Sequence, residues 1–162
     1  MATSARDFYL TGLGNQHAVE KQAIETIERE IDRMSAYPAL HARMQQELAR
    51  SRTQMERLEG LLSRHGTSAS SLKEAVTSAV GSVSGLVHVA AEDEVVKNVL
   101  AAVGFKAYEI ASYKALIAAA ELAGMDEDDA LLKQSMTEDQ EMGDWLGEHL
   151  PSIVREHLSK AG

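Results

Sequence analysis

The residues of this 162-residue chain that could do chemistry are charged side chains set into otherwise apolar helix stripes. Leu10, Leu13, His17, Glu20, Ile24, Ile27, Ile31 and Met34 follow one another at alternating steps of three and four. That spacing puts His17 and Glu20 on the face a bundle helix turns inward. The series Val95, Val99, Ala102, Lys106, Glu109, Tyr113 and Leu116 does the same for Lys106 and Glu109, and Leu131, Ser135, Glu138, Met142 and Trp145 for Glu138. Carboxylates directed inward from several helices either hold metal ions or neutralise buried cations, because an unpaired buried charge is too costly to keep.

The elements that must position these residues are helices throughout. Two prolines, few aromatics and many Ala, Leu, Glu, Lys, Arg, Met and Gln residues favour helix. A first helix is expected from Ser4 to Met34, loosened at Gly12-Leu13-Gly14 and stopped before Tyr37-Pro38. A second, from Ala39 to Arg64, carries Leu40, Met44, Leu48, Ser51, Met55, Leu58 and Leu62 at core spacing and ends at Gly66. The stretch from Ser71 to Ala90, with Gly81, Gly85 and a run of Val and Ser, reads as one or two short helices in a crossover. A third long helix spans Glu92 to Ala123 and stops at Gly124. A fourth runs from Asp126 to Leu150, and Pro151 then opens a short C-terminal helix. Four long helices with one long link between the second and third make an all-α, ferritin-like four-helix bundle, a single domain over residues 1–162.

Composition excludes several function classes. A formal net charge of -9 argues against nucleic acid or anionic membrane as a partner. The absence of cysteine excludes a disulfide framework and a zinc-thiolate site. The longest apolar run, around Ala115 to Ala120, is too short to span a bilayer, and no basic-then-apolar leader opens the sequence, so a cytoplasmic location is expected. No Ser-His-acid arrangement or phosphate-binding glycine loop is present. Asp126-Glu127-Asp128-Asp129 lacks the ligand spacing of a calcium loop and reads as helix capping.

Three segments carry a family resemblance: Ala18-Val19-Glu20-Lys21-Gln22, Gln54-Met55-Glu56-Arg57-Leu58 and Tyr108-Glu109-Ile110-Ala111-Ser112-Tyr113. In order and spacing, over roughly residues 8–147, the chain resembles the YciE/YciF family of ferritin-like proteins of unknown function. The resemblance implies a ferritin-like bundle, commonly a homodimer, whose better-preserved members look like di-iron carboxylate proteins and are associated with stress responses. Pairing of unused helix surfaces about a two-fold axis is also the general expectation for a soluble oligomer.

This chain departs from that pattern at the ligands. A ferritin-like dinuclear site takes a Glu from each of two helices and a Glu-x-x-His pair from each of the others. No Glu-x-x-His occurs here. Where the family has an acidic cluster in the second helix the chain reads Ala49-Arg50-Ser51-Arg52-Thr53, and where the third carries Glu-His it reads Lys106-Ala107. The expectation is a polar core of Glu20, Arg52, Lys106, Glu109 and Glu138 in place of the metal site, with no cofactor and no catalysis. Arg52→Ala or Lys106→Ala should then cost roughly 3 to 5 kcal/mol. The alternative is an irregular iron or manganese site on His17, Glu20, Glu109, Glu138 and Glu141 with oxidase or peroxide-consuming activity.

Overall fold

The computed structural model describes residues 3–72 and 94–161. Helix α1 spans Ala5–Glu30, α2 Pro38–Arg64, α3 Glu94–Ala123 and α4 Asp129–Ala161; no strand occurs among the described residues. Local chemistry sets the ends. The Ser4 hydroxyl accepts from the Asp7 amide at 3.1 Å, capping α1. Pro38 occupies the first turn of α2, where its missing N–H costs nothing. Gly66 and Gly124, at φ 73° and 68°, end α2 and α3 in the left-handed conformation that glycine adopts without strain. The amides of Thr67 and Met125 then close back on the carbonyls of Leu62 and Ala120.

Three expectations are corrected. Gly12 and Gly14 do not loosen α1, which is continuous. A β-carbon on Gly12 would lie 2.7 Å from Leu116 Cδ2, so this glycine serves the close approach of α1 and α3. The last turn, Ile31–Met34, is a 3-10 helix and not α-helix. Pro151 does not start a separate helix, because α4 runs through it to Ala161. Proline deprives the carbonyl four residues earlier of its amide partner, but that residue is the exposed Gly147, where water can take the bond. Beyond Pro151, buried Ile153 joins the core, and His157 Nδ1 lies 2.9 Å from the Tyr37 hydroxyl. The short helices expected in the crossover fall, from residue 73 on, outside the described residues; before it, Ala69–Leu72 form a 3-10 turn.

Contacts fix the topology. α1 packs on α2 and α3, and α4 packs on α3 and α2, closing a ring of four. Glu20 meets Tyr113 while Glu30 meets Asn98, so α1 and α3 are antiparallel. The directions are therefore up, down, down, up, and the link between α2 and α3 must travel the length of the bundle, the ferritin-like arrangement. At one end the core is Tyr9, Leu13, Leu58, Leu62, Tyr113, Leu116 and their neighbours. At the other it is Ile27, Met34, Leu40, Met44, Val99, Met142 and Leu146. Asp128, read from sequence as a cap, is fully buried at the first end, where it accepts from Tyr9 at 2.8 Å and pairs with Arg64 and His65. Between the apolar ends lies a polar layer.

A buried lysine among four carboxylates

Each helix contributes an acid to this layer: Glu20 from α1, Glu47 from α2, Glu109 from α3 and Asp139 from α4. Their relative exposures are 0, 2, 0 and 0 %. Lys106, 5 % exposed, sits among them. Its Nζ lies 2.5 Å from Glu47 Oε1, 2.7 Å from Glu109 Oε2 and 3.0 Å from Asp139 Oδ1, three acids from three helices. The bond to Asp139 is an aligned hydrogen bond; those to Glu47 and Glu109 are ion pairs off the hydrogen-bonding direction. Glu20 Oε1 accepts from Tyr113 Oη and Gln16 Nε2, each at 3.2 Å. Glu20, Glu109 and Asp139 each place one oxygen within 4.8 Å of the others.

The charges do not balance if every acid ionises, since four carboxylates face one ammonium in a closed core. Burial therefore raises the affinity of the acids for protons. It lifts Glu20 to about 7 against the pull of Lys106, with Asp139 adding repulsion. Burial holds Glu109 well above its usual value and raises Asp139 from its own, in each case opposed by Lys106. Burial pulls the Lys106 ammonium down, but Glu109, Asp139, Glu47 and Glu20 together raise it well above its usual value, so it is an ammonium ion. Glu20 Oε2, Glu109 Oε1 and Asp139 Oδ2 are buried without a hydrogen-bonding partner among the described residues, so a proton on any of them displaces no existing bond.

The expected polar core is thus gathered in part. Glu20, Lys106 and Glu109 meet in the layer. Glu138 lies at its flank, where Arg57 grips it through two bonds of 2.6 and 2.9 Å. Burial would raise Glu138, but the bonds from Arg57 hold it below the usual range. Gln54 ties flank to layer, its Nε2 3.1 Å from Glu138 Oε2 and 3.2 Å from Asp139 Oδ1. Arg52 is corrected: it is exposed and pairs with Glu28 at 2.6 Å, because the neighbouring Ser51 holds the inward position and the next residue is turned about 100° away. The alternative ligand set does not assemble. His17 bonds Glu59 at 2.9 Å, and exposed Glu141 pairs with Arg50 at 3.2 Å.

Sequence spacing missed Glu47 and Asp139. In α2 the buried series is Leu40, Met44, Glu47, Ser51, Gln54, Leu58 and Leu61, but apolar Leu48 and Met55 stand one residue away and draw the stripe to themselves. In α4, Leu132, Ser135, Asp139, Met142 and Leu146 are buried. Both phases there alternate threes and fours, and Glu138 has the same chemistry as its neighbour. The signal that could have found both acids is the demand that Lys106 be surrounded.

The difference between the two arginines is measurable. Truncating Arg57 leaves Glu138, with only 18 % of its side chain exposed, without its cation, and Arg57→Ala should lower unfolding free energy by about 1–3 kcal/mol. Arg52→Ala removes a half-exposed surface pair and should cost less than about 0.5 kcal/mol. Urea melts of the two variants beside the parent protein check both values.

A family model described as a domain of unknown function, DUF892, matches residues 4–159. The chain belongs to this family. Among solved structures, this DUF892 chain is similar to a protein of Xanthomonas campestris pv. campestris, at 27 % identity over 98 % of this chain and 99 % of that one, with a TM-score of 0.81. YcfI of Rhodopseudomonas palustris matches at 22 % identity, covering 89 % of this chain and 93 % of its own, with a TM-score of 0.70. The Escherichia coli stress protein YciF matches at 19 % identity, covering 95 % and 99 %, with a TM-score of 0.73. These likenesses fix the fold as that of the YciF ferritin-like type.

The residues do not fit the dinuclear metal centre that a ferritin-like bundle implies. Such a centre requires two imidazoles with its carboxylates. Among the described residues the layer contains no histidine, and the ammonium of Lys106 stands within 3.0 Å of three of the acids.

Proposed function

We propose that this DUF892 chain is a non-catalytic ferritin-like bundle that needs neither iron nor manganese and acts in a stress-related role as a cytoplasmic homodimer. The observation that carries the metal-independent part is the ion pairing of Lys106 with Glu47, Glu109 and Asp139. An ammonium ion there offsets part of the charge of the inward carboxylates and occupies the position among three of them that a metal ion would take. The stress role is supported by the likeness to YciF, described as a stress protein. The acidic surface supports a role apart from nucleic acid and anionic lipid, and no helix among the described residues is long and apolar enough to cross a membrane.

Peroxide consumption tests the reading. Protein supplied with excess ferrous iron should consume peroxide no faster than the iron alone, and sedimentation at micromolar concentration should find a dimer. Turnover above the iron control that disappears in Glu20→Ala would overturn the non-catalytic reading, and a species remaining monomeric would overturn the dimer.

A further inference from the structure

Lys106 does more than neutralise its neighbours. Its Nζ occupies a point 2.5–3.0 Å from oxygens contributed by α2, α3 and α4. A hard divalent ion takes oxygen ligands at about 2.0–2.6 Å, so a contraction of a few tenths of an ångström would turn the ammonium cage into a coordination shell. Helix α1 completes it: Glu20 is fully buried, its Oε2 has no partner among the described residues, and one of its oxygens lies within 4.8 Å of oxygens of both Glu109 and Asp139. Two ligand oxygens on opposite sides of one such ion are separated by about 4 to 5 Å.

Resting on the metal-independent reading above, we infer that Lys106 is the residue that excludes metal, and that a neutral side chain at 106 opens a mononuclear site for a hard divalent cation on Glu20, Glu47, Glu109 and Asp139. The donor set is four carboxylates with no imidazole or thiolate, which selects oxygen-seeking ions such as Mn²⁺. Exclusion by Lys106 is both steric and electrostatic. The ammonium holds the central position, and a second cation beside it would meet like charge in a region of low dielectric.

The test uses Lys106→Gln and Lys106→Met beside the parent chain, each stripped with chelator and titrated with Mn²⁺. Both variants should take up about one Mn²⁺ per chain, with Kd at least roughly a hundredfold below that of the parent, and their Tm should rise with Mn²⁺. Adding Glu20→Gln should weaken uptake. A variant that folds but ignores Mn²⁺ overturns this inference, and so does one that remains unfolded at saturating Mn²⁺, since the ion would then be unable to replace the ammonium. In both of those results a metal-free parent leaves the proposed function standing. Tight Mn²⁺ uptake by the parent itself is the separate result that contradicts the metal-independent reading.

Discussion

Lys106→Ala should lower the free energy of unfolding at neutral pH by about 3–5 kcal/mol, the cost of leaving a buried ionic partner unpaired. Three acids would lose a contact at 3.0 Å or less. Alanine also removes the apolar stem that crosses the core, so a Lys106→Met comparison separates packing from charge. Methionine keeps most of the volume, and its cost should remain well above that of a surface charge. The loss should shrink under mildly acidic conditions, where the carboxyls take protons in place of the ammonium. Denaturant melts of both variants measure this, and a loss below about 1 kcal/mol for Lys106→Met would show that the ion cluster contributes little.

The second large effect is the pH dependence of stability. Glu20 faces Tyr113, Lys106 and Glu109 on α3 and Asp139 on α4, with Glu47 of α2 reaching the same ammonium. Its folded pKa, about 7, lies above the usual 4.5 because burial disfavours the anion. A group raised on folding binds its proton more tightly in the native state. Its contribution is fully present below the unfolded value and disappears as pH rises through the folded one. Glu20 alone should thus make the protein less stable at about pH 8 than at pH 5.5 by about 2 kcal/mol, with Glu109 and Asp139 adding in the same direction. Glu138, held low, acts oppositely: its contribution is present above the unfolded carboxylate range and is lost as pH falls through its lowered value. Maximum stability is therefore expected under mildly acidic conditions. Glu20→Gln keeps an acceptor for Tyr113 and should be more stable than the parent at pH 8 with a flatter profile. Stability that climbs from pH 5.5 to 8 in the parent would contradict this account of the layer.

Much of the fold was legible because helix periodicity and end signals act locally. The α3 stripe is the clearest instance: Val99, Lys106, Glu109, Tyr113 and Leu116 are all buried as their spacing predicts. In α1 the same reasoning placed Glu20 inside but chose His17 over Gln16, which is fully buried while the His17 ring turns to Glu59. A stripe defines a face about 100° wide, one residue step, so it does not distinguish Glu138 from Asp139 or Arg52 from Ser51. Those choices depend on how helices distant in sequence pack, as when Asp139 meets Lys106 and Arg57 meets Glu138. Pro151 was misleading for a related reason. Its local signal ends a helix, but burial of Ile153 and contact with Tyr37 keep α4 going.

Metal content tests the central claim most directly. Protein purified without chelator from cells supplemented with iron and manganese, and again after iron loading in vitro, should contain far less than one ion per chain by elemental analysis. A stoichiometric ion that disappears with Glu20→Ala would contradict it, because the ammonium of Lys106 would then share the layer with a metal it is held to replace.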